Sequence, residues 1–336
     1  MGRTGASLES IALDRWTVSP SVRRYIPPAR YLPNQLERIK AAEFGSVAEV
    51  VRGFRGDYET SQSPTYGFRL RDADLIDGAV YAGNARISLR PRRRRIPLYR
   101  RPRESMAQGA LFESWMGNRW FGMWLLDDCL TYQLTQGCGP PVRTASTDTV
   151  HQQEYISKLA LQAKSVPDMH FDELVVFSDA GQNDGRRARA DAVKNRLHAT
   201  VPMIQRHPGV FLLRGSSGER RILVNELEIA EHLAKHRGFR VINAASATLA
   251  QLIEACAGAN VVAGVEGSHL AHGITLMAND AALFVLQPPD RVVSVLKVVT
   301  DRQGQRYGFV IGEGTREGFH LTWNDVARSL DLVEQA

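Results

Sequence analysis

VFLLR (210–214), GSSGERRILVNELEIAEHLAKHRGF (215–239), RVIN (240–243), ATLAQLIEACAGA (247–259) and NVVAGVEGSHLAHGITLM (260–277) follow one another with almost nothing between them. Short β-branched runs alternate with helix-length stretches, the pattern of a parallel sheet whose strands are joined by helices. Arg, Asn, Glu, Ser and His collect at the ends of the apolar runs and at the helix starts, where an open parallel sheet meets its ligands. ALFVLQ (282–287) reads as a fourth strand, YGFVIG (307–312) as a fifth, and TWNDVARSLDLVEQ (322–335) as an amphipathic closing helix.

Upstream the pattern changes. Prolines at 20, 27, 28 and 33 interrupt the first 60 residues, ahead of a helix expected from Ser46 to Arg52. Residues 65–89 carry short apolar runs broken by Asp77-Gly78 and Gly83-Asn84, which are turn signals between strands. Residues 119–136 place Trp120, Met123, Trp124, Leu126, Leu130 and Leu134 on one broad helical face. Further helices are expected at 152–163 and around 187–198, and LVVFS (174–178) reads as a buried parallel strand. With 336 residues the chain has room for two domains. The expected division is an α/β domain over 1–200 and a second over 201–336.

Hydrophobic residues make up 43% and charged residues 23%, the balance of a globular protein. No stretch approaches 18 consecutive apolar residues, so no membrane span is expected. The amino-terminal residues lack an apolar signal core, which points to a cytoplasmic protein. Cys129, Cys138 and Cys256 have no metal-ligand spacing and read as reduced thiols. The net charge of +6 is local: RPRRRRIPLYRRPR (Arg90–Arg103) holds eight arginines and no acid. This segment reads as a solvated connector, as a contact for anionic lipid headgroups or acidic glycan, or as a nucleic-acid contact. Tyr99 is its only aromatic residue, which argues against nucleic acid. Peripheral attachment to the inner face of a membrane is the partner it suggests.

Several residues between 210 and 277 carry chemistry. Asn225 followed by Glu228 resembles a capping box, and such a cap can also sit in a site. Thr248 with Gln251 is a second cap, with no function attached. Arg214, Arg220 and Arg221 flank a Gly/Ser loop before a helix start, a place that gathers free N–H groups and positive potential. Arginine suits a diphosphate because its planar fork bonds two oxygens at once. In Gly264-Val265-Glu266-Gly267-Ser268-His269 the glycines permit a tight turn, Ser268 is placed to cap the next helix, and Glu266 is either a dipole partner or a site carboxylate. The dinucleotide pattern G-x-G-x-x-G is absent, which disfavours hydride transfer. His269 and His272 share a helix face without a third convergent ligand, so no protein-bound metal centre is expected.

Taken together, Arg214 through R-I-L-V-N-E (Arg221, Asn225, Glu226), the G-F-x-V-I strand, the helix containing Gln251 and the closing G-x-E-G-S-H-L-x-H resemble the family-61 glycosyltransferases, whose bacterial members include capsular-polysaccharide biosynthesis proteins. The resemblance covers roughly 205–290 and thins upstream to GNRWFGMWLLD (117–127). Two departures stand out: Met123 occupies the place of the family's histidine before the tryptophan, and Glu266 that of the histidine in its Gly-x-His-Gly turn.

The resemblance implies a GT-B-like α/β fold, with two facing Rossmann-like domains and a cleft between them. It also implies an inverting reaction without bound metal or cofactor, moving a sugar from a nucleotide-sugar donor to a hydroxyl of a glycan or lipid-linked acceptor in surface-polysaccharide synthesis. Arg214, Arg221, Asn225, Glu226, Gly267, Ser268 and His269 would then bind the donor, and Asp127 or Glu266 would take the acceptor proton. Two alternatives stand beside it: a nucleotide-sugar epimerase on the same fold, and a non-catalytic member that binds glycan or a partner protein.

Overall fold

In the computed structural model, which describes residues 7–92, 99–144, 147–215 and 218–335, the run from 207 onward forms five parallel strands. They are β1 (His207–Leu213), β2 (Phe239–Asn243), β3 (Ala259–Val265), β4 (Ala282–Gln287) and β5 (Arg306–Ile311). Their order across the sheet is β2-β1-β3-β4-β5, and every neighbouring pair is parallel. The helices between them are α1 (Glu226–Arg237), α2 (Leu249–Ala257), α3 (Leu270–Leu276) and α4 (Val295–Gln303), followed by α5 (Trp323–Glu334). This is a doubly wound order. The chain moves outward from β1 to β2, then returns past β1 to β3, so the direction of winding reverses between β1 and β3.

The local sequence explains these elements. Strands β1, β3 and β4 are continuous apolar runs because both faces of the sheet are covered. Ile229 and Leu233 of α1 and Val326, Leu330 and Val333 of α5 pack with Phe211, Val261, Phe284 and Val310 over one face. Each fully buried phenylalanine there contributes on the order of 2–3 kcal/mol relative to exposure. Thr248 and Gln251 form the expected capping box at α2. Helix α1 begins with Glu226 and Glu228 and ends with Lys235, His236 and Arg237, the charge order its dipole favours.

Contacts within the chain define two units, 1–22 with 62–190, and 23–61 with 191–336. The sequence suggested one boundary near 200. Instead residues 23–61 belong with the parallel sheet, because their backbone pairs with it. Arg30 N–H donates to the Tyr307 carbonyl (2.8 Å) and Phe309 N–H to the Arg30 carbonyl (3.1 Å). Phe54 stacks on Phe309 with ring centroids 4.2 Å apart. The helix expected at Ser46 forms over Val47–Arg55 with a Ser46–Glu49 capping box.

The other unit is also α/β, but its eight-stranded sheet is mixed, where a Rossmann-like domain was expected. Thr65–Ile76, Ala79–Ala82 and Ala85–Ser88 form an antiparallel meander. Its first turn is Asp77-Gly78, with φ of 48° and 74°, and this pair of positive values suits a two-residue hairpin. Met169–Ser178, which contains the expected strand LVVFS, runs parallel to Ser105–Leu111 on one side and antiparallel to Thr65–Ile76 on the other. Phe68, Leu70, Phe171 and Leu174 centre its core. Among the described residues no helix is long and apolar enough to cross a membrane.

Residues 93–98 of the arginine-rich segment lie outside the described residues. On its flanks Arg90 donates to Asn118, Arg92 to the Tyr81 hydroxyl (2.9 Å), and Arg101 to His170 Nε2 (2.7 Å), while Arg100 and Arg103 are exposed.

Candidate functional site

The reversal between β1 and β3 places the loops after these two strands side by side, and the charged motifs singled out from sequence stand on them. Arg214 and Gly215 follow β1, and Glu266 to His269 follow β3. The stretch 222–224 is held beside the hairpin 313–320: Ile222 N–H donates to the Arg316 carbonyl (3.0 Å) and Val224 N–H to the Phe319 carbonyl (2.9 Å). That pairing fixes the backbone next to Arg221.

Glu266 lies at the centre. Its backbone N–H donates to the Leu286 carbonyl (2.9 Å), continuing the β3–β4 ladder by one residue. Its Oε2 accepts from Arg221 Nη1 (2.8 Å) and from Arg291 Nη1 (3.0 Å), and all three side chains are buried. Arg291, which sequence reasoning missed, is a hub. It also donates through Nη2 to Glu219 (3.0 Å) and through Nε to Glu43 (3.1 Å). Glu43 arrives because the stretch 40–43 runs along 289–292, with Lys40 N–H bonded to the Pro289 carbonyl (2.7 Å) and Val292 N–H to the Ala41 carbonyl (3.0 Å). The one hint in the sequence was that Arg291 follows the fourth strand as Arg214 follows the first.

Arg214 is buried, and its Nη2 donates to the Glu219 carbonyl (2.5 Å). Burial first, then the Arg221 guanidinium, lower its pKa to about 10, so it stays cationic at neutral pH. Glu226 accepts the backbone N–H of Arg214 (2.8 Å) and of Gly215 (2.9 Å), one on each carboxylate oxygen. It is therefore the residue that shapes the end of β1. Beside it lies a cavity of about 360 Å³ lined by Gly215, Ile222, Asn225, Glu226, Leu227 and Glu228.

Two expected caps are corrected. Asn225 precedes α1 but makes no side-chain cap. Its amide donates instead to the Leu321 carbonyl (2.9 Å), a tertiary partner that no local pattern reveals. Ser268 does not cap α3 either: the helix starts at Leu270 with His269 at its N-cap, and there is no side-chain cap bond. Arg220 turns to the surface and pairs with Glu317 (2.6 Å).

Gly267 shows why a glycine stands in this turn. A Cβ there would lie 2.9 Å from Arg214 Nε and 3.0 Å from His269 Nδ1. Arg214 is buried and bonded to the Glu219 carbonyl and so yields only at a cost; Gly267→Ala is expected to cost about 1–3 kcal/mol of stability while displacing Arg214. Denaturant midpoints and nucleotide titration of the variant should separate an intact fold from weakened binding.

His269 is partly buried next to those arginines. Desolvation, then the charges of Arg214 and Arg221, push its imidazole down to about 3 from 6.5, with the Leu212 carbonyl pulling the other way. Its role is thus that of a neutral imidazole. The unfolded chain binds this proton at the ordinary value and the folded chain only near 3, so stability falls as pH drops through that window. His269→Asn should flatten the loss of stability measured by urea unfolding between pH 7 and pH 5; an unchanged slope would refute this.

In the other unit, Asp127 sits in a π-helical turn (Trp124–Asp128) within the helical stretch expected at 119–136. Such turns displace side chains from the regular α-helical register and recur at functional sites. Its Oδ1 accepts from Arg186 Nη2, and its side chain keeps 25% of its exposure. Arg186 also donates to the Asp179 carbonyl, and Asp179 in turn takes both Arg189 (2.7 Å) and the Thr131 hydroxyl (2.9 Å). Asp128, its neighbour, is buried and accepts from Ser114 Oγ (2.7 Å); burial drives its pKa well above the ordinary carboxylate value. Among the described residues, no three or more His, Cys, Asp or Glu side chains are arranged to hold a metal.

The family model of glycosyltransferase 61 matches residues 29–284, so the chain belongs to that family. Comparison with the curated proteins finds no match. Among solved structures, the chain is similar to the metal-soaked flavodiiron core of Flv1 from Synechocystis sp. PCC6803, with 11% identity and a TM-score of 0.28. The alignment covers 62% of this chain and 48% of that one, so the chain spans about half its length.

Proposed function

We propose that the protein is an inverting, metal-independent glycosyltransferase that moves a sugar from a nucleotide-sugar to a hydroxyl of a glycan or lipid-linked acceptor in surface-polysaccharide synthesis. The observation that carries this reading is the set of buried guanidiniums of Arg214, Arg221 and Arg291 at the winding reversal of the parallel sheet, on a chain of this family. Departure of a nucleoside diphosphate leaves charge on its terminal phosphate. Fixed cationic donors in a desolvated place stabilise that charge without reorganisation. Gly267, His269 and the cavity beside Asn225 and Glu226 complete the donor side, and the GT-B arrangement belongs to the same proposal.

Of the two carboxylates that could accept the hydroxyl proton, the geometry favours Asp127. Glu266 shares one oxygen between two guanidiniums and is 6% exposed, so its task is to hold Arg221 and Arg291. Asp127 is oriented by a single arginine and remains open to solvent, as a base must be to reach an acceptor. An anionic membrane surface would be met through Arg90–Arg103 from the cytoplasmic side, with Arg100 and Arg103 exposed for it.

Three assays separate this reading from its alternatives. Release of free nucleoside diphosphate only when a glycan acceptor is present supports transfer. Conversion of a nucleotide-sugar alone indicates an epimerase. Nucleotide binding without turnover on any acceptor indicates a binding protein.

A further inference from the structure

The three guanidiniums of the donor side do not stand in excess positive charge. Among the described residues around them, Glu43, Glu219 and Glu266 contact Arg291, and Glu226 holds the backbone at Arg214. Carboxylates therefore match or outnumber the arginines they surround. A nucleoside diphosphate carries at least two negative charges of its own. It cannot settle against Arg291 and Arg214 while every carboxylate keeps its place, because like charges in a poorly solvated site repel strongly.

The four carboxylates differ in how firmly they are held. Glu266 is clamped between two arginines, with its side chain 8% exposed. Both oxygens of Glu226 are bonded to backbone N–H groups. Glu43 is 27% exposed and comes from a segment paired along 289–292. Glu219 is 48% exposed, and among the described residues its carboxylate pairs with Arg291, at 3.0 Å, while its own carbonyl takes Arg214. It bridges two of the three arginines that the preceding reading gives to the diphosphate.

We infer that Glu219 is an internal competitor for the donor: in the unliganded protein its carboxylate and carbonyl occupy Arg291 and Arg214, and the diphosphate of the nucleotide-sugar displaces them on binding. The inference rests on the donor-site reading above. The displacement costs affinity, and return of Glu219 to Arg291 helps expel the nucleoside diphosphate product. Glu219 is thus a specificity element. A neutral or singly charged ligand gains too little from the arginines to drive the exchange, whereas a diphosphate regains both bonds with its own oxygens.

The test is calorimetric titration of the full chain with UDP, GDP, dTDP and inorganic pyrophosphate, on the wild type and on Glu219→Gln, Glu317→Gln and Arg214→Gln. Glu317 pairs with Arg220 at the surface and controls for a general loss of negative charge. Glu219→Gln should bind the diphosphate that the wild type binds about three- to fivefold more tightly, the worth of a half-exposed ion pair. Glu317→Gln should match the wild type and Arg214→Gln should lose binding. In turnover, Glu219→Gln should lower KM for the donor. Equal or weaker binding by Glu219→Gln, beside a wild type that binds, overturns the competitor role and leaves the donor site standing. Absence of binding by every protein, or full binding by Arg214→Gln, overturns the donor-site reading and the competitor with it.

Discussion

Glu266→Ala is expected to lower the unfolding free energy by about 3–5 kcal/mol, the cost of stripping the partner from buried charges. The substitution leaves Arg221 and Arg291 facing each other, both less than 10% exposed, with their shared acceptor gone. Burial and the Arg291 charge already press the Arg221 pKa down, and Glu266 is the largest influence opposing them, so its removal leaves that buried charge without its main compensation. Denaturant unfolding of the variant beside Glu317→Ala gives the measurement an internal scale. The Arg220–Glu317 pair is more than half exposed on both sides and should be worth under about 1 kcal/mol. Similar losses in the two variants would show that Glu266 is not a clamp.

Asp127→Asn is expected to reduce kcat for sugar transfer by about 10²- to 10⁴-fold, the range for removing a positioned general base. The amide retains the volume of the carboxylate and can still accept from Arg186, so the π-helical turn should persist. Nucleotide affinity should be unchanged, because the donor residues belong to the parallel-sheet unit and Asp127 to the other. A kcat within a few-fold of wild type would remove Asp127 from the chemistry. A rise in donor KM with kcat intact would instead give it a binding task.

How much of this was legible in the sequence differs between the two units. The parallel sheet was readable nearly strand by strand, since a strand buried on both faces announces itself as an unbroken apolar run. The hairpin turns at Asp77-Gly78 and Gly83-Asn84 were readable too, because Asp77, Gly78 and Gly83 take positive φ values that Gly and Asp accept readily. The attachment of 23–61 to the parallel sheet was not. The bond from Phe309 to the Arg30 carbonyl joins positions far apart in the chain, and no local pattern encodes it. The same limit explains the site. Arg214 and Glu266 stand at strand ends that a parallel sheet must bring together, so their convergence could be anticipated, whereas Arg221 is placed by the pairing of 222–224 with the hairpin 313–320. Arg291, Glu219 and Glu43 reach it through loops, and Arg186 reaches Asp127 from a helix of its own. Asn225 was misread as a cap because its Oδ1, the atom a cap needs, accepts instead from the Leu321 N–H (3.4 Å).

On the proposed reading, a nucleotide-sugar is held by Arg214 and Arg221 where the winding of the parallel sheet reverses. Thermal unfolding of the wild type and of an Arg214→Gln/Arg221→Gln double variant, each with UDP-, GDP-, CMP- and dTDP-sugars, tests it most directly, because a ligand bound only by the folded state raises apparent stability. One nucleotide class should raise the wild-type midpoint by several degrees, about the 2.7 kcal/mol expected at a hundredfold excess over Kd, and leave that of the double variant unmoved. An equal rise in both proteins, or no rise with any donor, would contradict it.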